Sequence, residues 1–450
     1  MRLLALVLLA ALLLPGVTSA QRARGRTALI LHDGVSLRQS PSTSSPSLAV
    51  LYEEQQVVVL GKKGTWRKIC IWASTIGWVP SADVVFRKPW TTTSTYHAPV
   101  IHEQIHASGP HPLSIAAQTT SPTPLYHGPA LVRTLAAGTA VHVAAWKQDK
   151  SGTVWYRIGS LWARGTTVRF TFPDEGAVRR NGVAVWTAAS GKGMWLTLGT
   201  IGQAAPSAIV AACHADGISH LYLETAISPL GFHGRKVVGP LIDAAHHAHI
   251  TVIAWVYPYL YDVAADVGLT RRVVTYRTVA GNGFDGVAAD IERNVTLPSV
   301  RAYSQLVRAA VGPRYLLVGV TWPPQSFPTF PFAEMSHDYT LLAPMDYWHQ
   351  TTTHYGLDYG HMRYGYAYGY RYAQDSIATM RADGVRVPIA PIGQTFDNYA
   401  RLGIGPRAPS ASEINGFLQG SKAGGAVGTS FFQWMTASAG EWRAIRAFHF

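Results

Sequence analysis

Cysteine is nearly absent: Cys70 and Cys213 are the only two in 450 residues. Two cysteines support neither a disulfide framework nor a cysteine-based zinc cluster. Charge is sparse too, at 14% of residues against 48% hydrophobic. Glycine and proline, at 42 and 27, stay below the level of a disordered or fibrous chain. The sequence is therefore globular, with apolar material for sizeable cores and length for two or three domains. Acidic residues are the scarcer sign, 25 against 38 basic, for a formal charge of +13. Residues 21–118 carry +5, 119–175 carry +3 and 176–450 carry +4, so the N-terminal third is the more basic per residue. Such a balance either favours an anionic surface, a cell wall or acidic polysaccharide, or simply solubilises. No nucleic-acid recognition motif occurs, and nucleic acid is not expected as a partner.

One apolar run stands out, over residues 3–14 after Met1-Arg2. It is shorter than the roughly 20 residues needed to span a bilayer. Small residues Thr18-Ser19-Ala20 follow, before Gln21. This order predicts a secretory signal peptide over 1–20 with cleavage after Ala20. No cysteine sits at that site to carry a lipid, and no later stretch is long and charge-free enough to span. The mature chain is expected to be secreted or cell-wall associated.

Residues 27–87 read as short strands joined by turns. Gln56-Val57-Val58-Val59-Leu60 is strongly β-prone, and a Ser/Pro-rich loop covers 39–47. Val35-Ser36-Leu37-Arg38, Thr65-Trp66-Arg67-Lys68 and Gly77-Trp78-Val79 resemble the motifs of a bacterial SH3-like domain. That resemblance implies binding of cell-wall peptides or glycans, or a spacer. Residues 88–118, rich in Thr, His and Pro, predict a connector. Residues 119–175 echo the first module: Trp155-Tyr156-Arg157-Ile158 corresponds to Trp66-Arg67-Lys68-Ile69. A second SH3-like copy is expected there.

From 190 to 450, strand and helix signals alternate. Strands are predicted over 194–198, 219–225, 250–257, 286–292, 316–322, 339–347, 387–392 and 428–434. Helices are predicted over 206–216, 237–247, 263–280, 298–311, 374–383, 412–421 and 440–447, with none between the fifth and sixth strands. Eight strands in about 260 residues fit a (β/α)8 TIM barrel. The expected fold class is thus α/β, a C-terminal barrel preceded by two small all-β modules. A doubly wound sheet would need a Gly-rich phosphate turn after its first strand, and Gly199-Thr200-Ile201-Gly202 does not supply one.

In such a barrel, chemistry sits at the C-terminal strand ends. The fourth strand runs Asp285-Gly286-Val287-Ala288-Ala289-Asp290-Ile291-Glu292. With a period of two, Asp290 and Glu292 share the inward face while Val287, Ala289 and Ile291 face the helices. Adjacent carboxylates raise one another's pKa, and a carboxyl still protonated near neutrality is the general acid that glycosidic cleavage requires. Here the resemblance is to the DGxDxDxE signature of the chitinase-like, family-eighteen glycoside hydrolases. Asp285, Gly286, Asp290 and Glu292 match it, whereas Ala288 stands in place of the middle Asp. Pro344-Met345-Asp346-Tyr347-Trp348 resembles the family's sixth-strand segment, and Trp434 its eighth-strand Trp. The resemblance implies that Glu292 is the acid/base and that Asp290 assists attack by the substrate's N-acetyl group. Tyr347 would bond that acetamide, and Trp434 would stack on the sugar. Asp346 or Glu224 could substitute for the missing carboxylate.

Trp255, Trp322 and Gln394 are further candidates for substrate contact because they end the third, fifth and seventh strands. Seven tyrosines between Tyr355 and Tyr372 could form a glycan platform or pack on themselves. His246-His247-Ala248-His249 lies at a helix end, where cations suit the macrodipole, and reads as structural. No HExxH spacing occurs, so neither metal nor other cofactor is expected. The expected partner is a polysaccharide or cell-wall glycan. The function implied is an exported hydrolase of an N-acetylhexosamine polymer, chitin-like or peptidoglycan-like. The alternative is a non-catalytic binder that keeps the pocket.

Overall fold

The computed structural model describes residues 26–31, 35–51, 56–71, 75–86, 105–173, 178–201, 204–349, 365–396 and 408–450. The signal segment, most of the connector, Tyr355, Tyr359 and Tyr364 lie outside the described residues. The chain divides into two compact units, Met1–Thr93 and Ser94–Phe450. Among the described residues, no helix is long and apolar enough to cross a membrane.

The first unit is a seven-stranded antiparallel sheet curled around one small core. Alternation places Ala28 and Ile30, Val35 and Leu37, and Val57 and Val59 inside, joined by Ile69, Val79 and Val84. A 3-10 turn, Ser81–Asp83, precedes the last strand.

The second unit opens with another all-β module, of strands Ser108–Thr119, Thr123–His127, Ala130–Leu135, Ala140–Gln148, Val154–Ile158, Leu161–Arg164 and Val168–Phe170. Its strand order repeats that of the first module position for position, including a 3-10 turn, Gly165–Thr167, before the last strand. Ser108–Thr119 is its first strand, so the predicted connector ends earlier than 118. Only Ala117 and Thr119 of that strand are buried, so the apolar signal that marks strands in sequence is weak.

The remainder is a closed barrel of eight parallel strands. They are β1 Gly191–Leu196, β2 His220–Ile227, β3 Thr251–Tyr257, β4 Gly286–Asp290, β5 Leu316–Thr321, β6 Leu341–Asp346, β7 Ile392–Gln394 and β8 Gly428–Phe432. After a one-turn helix, Leu198–Ile201, the helices are α1 Pro206–Asp216, α2 Gly239–His247, α3 Val263–Val274, α4 Leu297–Val311, α5 Phe332–Met335, α6 Tyr366–Ala382, α7 Ala411–Ala423 and α8 Ala439–Ala447. Capping boxes at Thr296, Ser410 and Ser438 start α4, α7 and α8. The interior is filled by Trp195, Tyr222, Ile253, Ala288, Val318, Ala343 and Ile392. Val178, Val185 and Ala189 close its N-terminal end.

Three elements depart from expectation. A one-turn helix, α5, lies between β5 and β6, where no helix is predicted. β7 is short and late, because Pro388 and Pro391 lack the N–H that a ladder needs; only an isolated bridge, Leu342 to Ile389, forms upstream. Helix α6 begins eight residues before the predicted start. Its glycine Gly369 packs against the carbonyl of Glu413, and α7 presents Gly416 and Gly420 to the carbonyls of Tyr366 and Tyr370. A Cβ at Gly416 or Gly420 would lie 2.0 and 2.1 Å from those oxygens. The tyrosine run is thus partly a helix whose Tyr368 and Tyr372 are buried. Tyr366 and Tyr370 stack on each other on its outer side.

Candidate active site

β4 is buried along its whole length, since its outer face meets helices and its inner face the filled barrel. It delivers Asp290 at its C-terminal end, and Glu292 follows two residues later on the same side. Both line a cavity of about 260 Å³ at the barrel mouth. Trp195, Trp255, Tyr347, Phe396 and Phe432 form its aromatic wall. Val320, Met345 and Ile392 close its floor side.

The electrostatics of the pair follow from what surrounds it. The Trp255 indole N–H donates to Asp290 Oδ2 at 2.9 Å. Asp290 Oδ1 has no hydrogen-bond partner among the described residues, and the Glu292 carboxyl is its neighbour. Burial pushes the Asp290 carboxyl up to about 6, against the pull of the Trp255 and Glu292 hydrogen bonds. Burial, and then the Asp290 charge, hold Glu292 well above the usual carboxylate range, with Arg293 pulling it back. The two carboxyls therefore titrate as a coupled pair, each held above its ordinary range. The Tyr347 hydroxyl is raised by burial and by both carboxylates, so it stays a donor. Arg293 itself is held 4.7 Å over the Tyr259 ring.

Ala288, on the inner face below Asp290, belongs to the apolar interior with Trp195 and Tyr222. Those two rings stack at 4.1 Å and fill the space beneath the cavity. Trp255 stands edge-on between Trp195 and Phe432, at 5.3 and 5.7 Å. In place of a second carboxylate, Asp290 has a fixed indole donor.

Five other candidates take different places. Asp346 points outward and accepts from Ser376 Oγ of α6 at 2.7 Å, fully buried away from the cavity. Glu224 ties the end of β2 to the Leu198 amide and to His233. Gln394 is buried and braces its neighbours, accepting from the His349 amide and donating to the Phe396 carbonyl. Trp322 packs against the interior without lining the cavity. Trp434 turns to Trp442 of α8 at 5.0 Å, and Phe432 holds the wall position expected of it. Phe432 and Phe396 are the wall residues that sequence reasoning missed. His246 donates to or accepts from Asp285 at 2.9 Å. No group of three or more metal-ligating side chains occurs among the described residues.

Comparison with known proteins gives three findings. Residues 33–85 match the family model of the bacterial SH3 domain. No curated protein matches the chain. Among solved structures, a class V chitinase from Pseudomonas fluorescens Pf-5 is 14% identical, with 57% of this chain and 99% of that one covered and a TM-score of 0.42. A glycoside hydrolase family 18 N-acetylglucosaminidase from Paenibacillus barengoltzii is 11% identical over 57% and 99%, at 0.41. The Bacillus cereus spore cortex-lytic enzyme SleL is 11% identical over 57% and 73%, also at 0.41.

Proposed function

We propose that the chain is an exported glycoside hydrolase of N-acetylhexosamine-containing glycans. The observation that carries this reading is the Asp290–Glu292 pair, both carboxyls raised by burial inside an aromatic-walled cavity at the barrel mouth. Glu292, protonated, delivers its proton to the glycosidic oxygen as the bond breaks. Asp290, ionised and fixed by Trp255, orients the N-acetyl group whose carbonyl oxygen attacks the anomeric carbon. Tyr347 donates to that acetamide, and the Trp and Phe walls stack on sugar rings. Export by cleavage after Ala20 and wall attachment through the SH3-like modules complete the proposal.

The test is hydrolysis of N-acetylglucosamine oligomers and of peptidoglycan by wild type and Glu292→Gln. Turnover should fall by about 10²–10⁴-fold with binding retained, the usual share of a general acid. Equal activity in both proteins would remove Glu292 from this role. The pH profile should be bell-shaped: activity is lost below about 6 as Asp290 gains a proton, and lost again in base as Glu292 gives its own up. A flat profile across that acid limb contradicts the assignment.

Ala288 favours a second reading, a glycan-binding protein without turnover, because the interior carboxylate position is apolar. Trp255→Phe separates the two. In an enzyme it removes the donor that keeps Asp290 ionised and shifts the acid limb upward. In a binder only affinity changes.

A further inference from the structure

We propose that the N-terminal face of the barrel carries a second binding site, one for a phosphate- or carboxylate-bearing anion. A cavity of about 690 Å³ opens there, more than twice the volume of the 260 Å³ cavity at the mouth. Four segments distant in sequence meet around it. They are Arg180 and Asn181 of the hairpin before β1, His246 at the end of α2, Arg277 and residues 281–285 before β4, and residues 311–315 before β5. Each precedes a strand, so the site is on the opposite face from Asp290 and Glu292. Asp285, just before β4, and Asp290, at its end, are five residues apart, a separation of roughly 16 Å along an extended strand.

Charge gives the cavity its chemistry. Arg180, Arg277 and Arg314 line it, and no carboxylate pairs with any of them among the described residues. Among the described residues, Asp285 is the one carboxylate on the wall. Its Oδ2 accepts from the Val252 amide at 2.8 Å and contacts His246 Nε2 at 2.9 Å. Arg277 directs Nη1 to the carbonyls of Val274 and Tyr276, which fixes its stem and leaves other N–H donors open. Tyr315 donates to the Phe284 carbonyl. Asn282 is tied to Asp243. The walls turn through Gly281 and Gly312 at φ of +86° and +78°, a region that favours glycine. Three guanidiniums lining a volume that large, with no carboxylate partner among the described residues, match an oxyanion that guanidinium forks bind in pairs of hydrogen bonds. Phosphodiester and polycarboxylate polymers both present such groups.

The test titrates the full chain at fixed ionic strength, by calorimetry, with inorganic pyrophosphate, citrate, poly(glycerol phosphate) and polygalacturonate. The last two distinguish a phosphate from a carboxylate source. Arg180→Gln/Arg314→Gln should weaken binding by at least about tenfold, with hydrolysis or oligosaccharide binding at the mouth unchanged. Arg133→Gln/Lys150→Gln removes the same charge from the exposed surface of the β module and should leave binding intact. Equal weakening in both double variants would show diffuse attraction to a basic chain and overturn the proposal. So would undiminished binding in Arg180→Gln/Arg314→Gln. Arg180→Lys/Arg314→Lys keeps charge and lacks the planar fork; it should fall between the two, and it serves if the glutamine variant fails to fold.

Discussion

The two β modules share one strand order and differ in what their outer residues meet. In the first, Arg67 lies over the Phe86 ring at 5.1 Å. In the second, the matching positions are Tyr156 and Phe170, with rings 4.8 Å apart and both buried. There the Tyr156 hydroxyl accepts from Gln305 Nε2 of α4 at 2.6 Å, and the Phe170 amide donates to Gln305 Oε1 at 3.1 Å. Arg301 of α4 forks onto Glu334 at 2.6 and 2.9 Å and donates to the Thr166 carbonyl, while Arg169 of the module also pairs with Glu334. At the other end of the interface, Gln148 donates to Asp262, the N-cap of α3, and accepts from the Ala264 amide. A repeated fold has thus been fused to the barrel by replacing surface groups with polar groups that only the barrel satisfies. The first module remains a unit by itself.

Truncation is the strongest test of that difference. Removing residues 1–93 should leave the melting temperature of the remainder within a few degrees. Removing 1–175 strips Gln305, Arg301, Glu334 and Asp262 of partners; each buried group left unpaired costs about 1–3 kcal/mol. The barrel alone should then melt far lower or aggregate, although the sequence suggested a boundary near 176. Equal melting of the two truncations breaks the comparison.

Single changes rank below truncation. Glu334→Ala removes the carboxylate that Arg301 and Arg169 share and should cost about 3–5 kcal/mol. Arg67→Ala in the first module loses a half-exposed cation–π contact and should cost about 0.5–1 kcal/mol. Denaturant unfolding of the full chain, followed separately for each unit, measures both. Tyr156→Phe is expected in between, at about 1–3 kcal/mol, because Gln305 Nε2 keeps only a long contact to the Val168 carbonyl. Combined with Gln305→Leu, it should show strong coupling; additive losses would mean that the hydrogen bond does not hold the interface.

What the sequence disclosed follows the reach of each signal. Barrel strands were legible because each is a short apolar run between helices, and Asp290 with Glu292 followed from a period of two. The same period makes 432 and 434 equivalent, so it could not decide between Phe432 and Trp434; the strand's end at Phe432 decided it. Asp346 misled for the converse reason: next to Tyr347 in sequence, it must face the other way, onto Ser376. Helix α6 was truncated in the reading because its stability comes from glycine contacts with α7, which no local pattern carries. The fused interface was invisible altogether, since Tyr156 and Gln305 are 149 residues apart.

A pH-dependent effect concerns Asp262, where the module meets the start of α3. Burial raises its carboxyl, but bonds from the Ala265 and His106 amides, Gln148 and the His106 ring outweigh that and hold it below the usual range. A depressed carboxyl stabilises the fold above its unfolded pKa of about 4, and loses that contribution as pH falls through the lower folded value. Asp262→Asn should therefore destabilise by about 0.5–2 kcal/mol near neutral pH, the usual range for a helix cap. The gap between variant and wild type should close in acid, below about 4. His106 is exposed and contributes little, so His106→Ala should leave the gap nearly intact. Melting curves of the three proteins between neutral and acid pH measure the gap. A gap that widens in acid would mean that Asp262 is held in its protonated form, and that this end of the interface is neutral, unlike the charged end at Glu334.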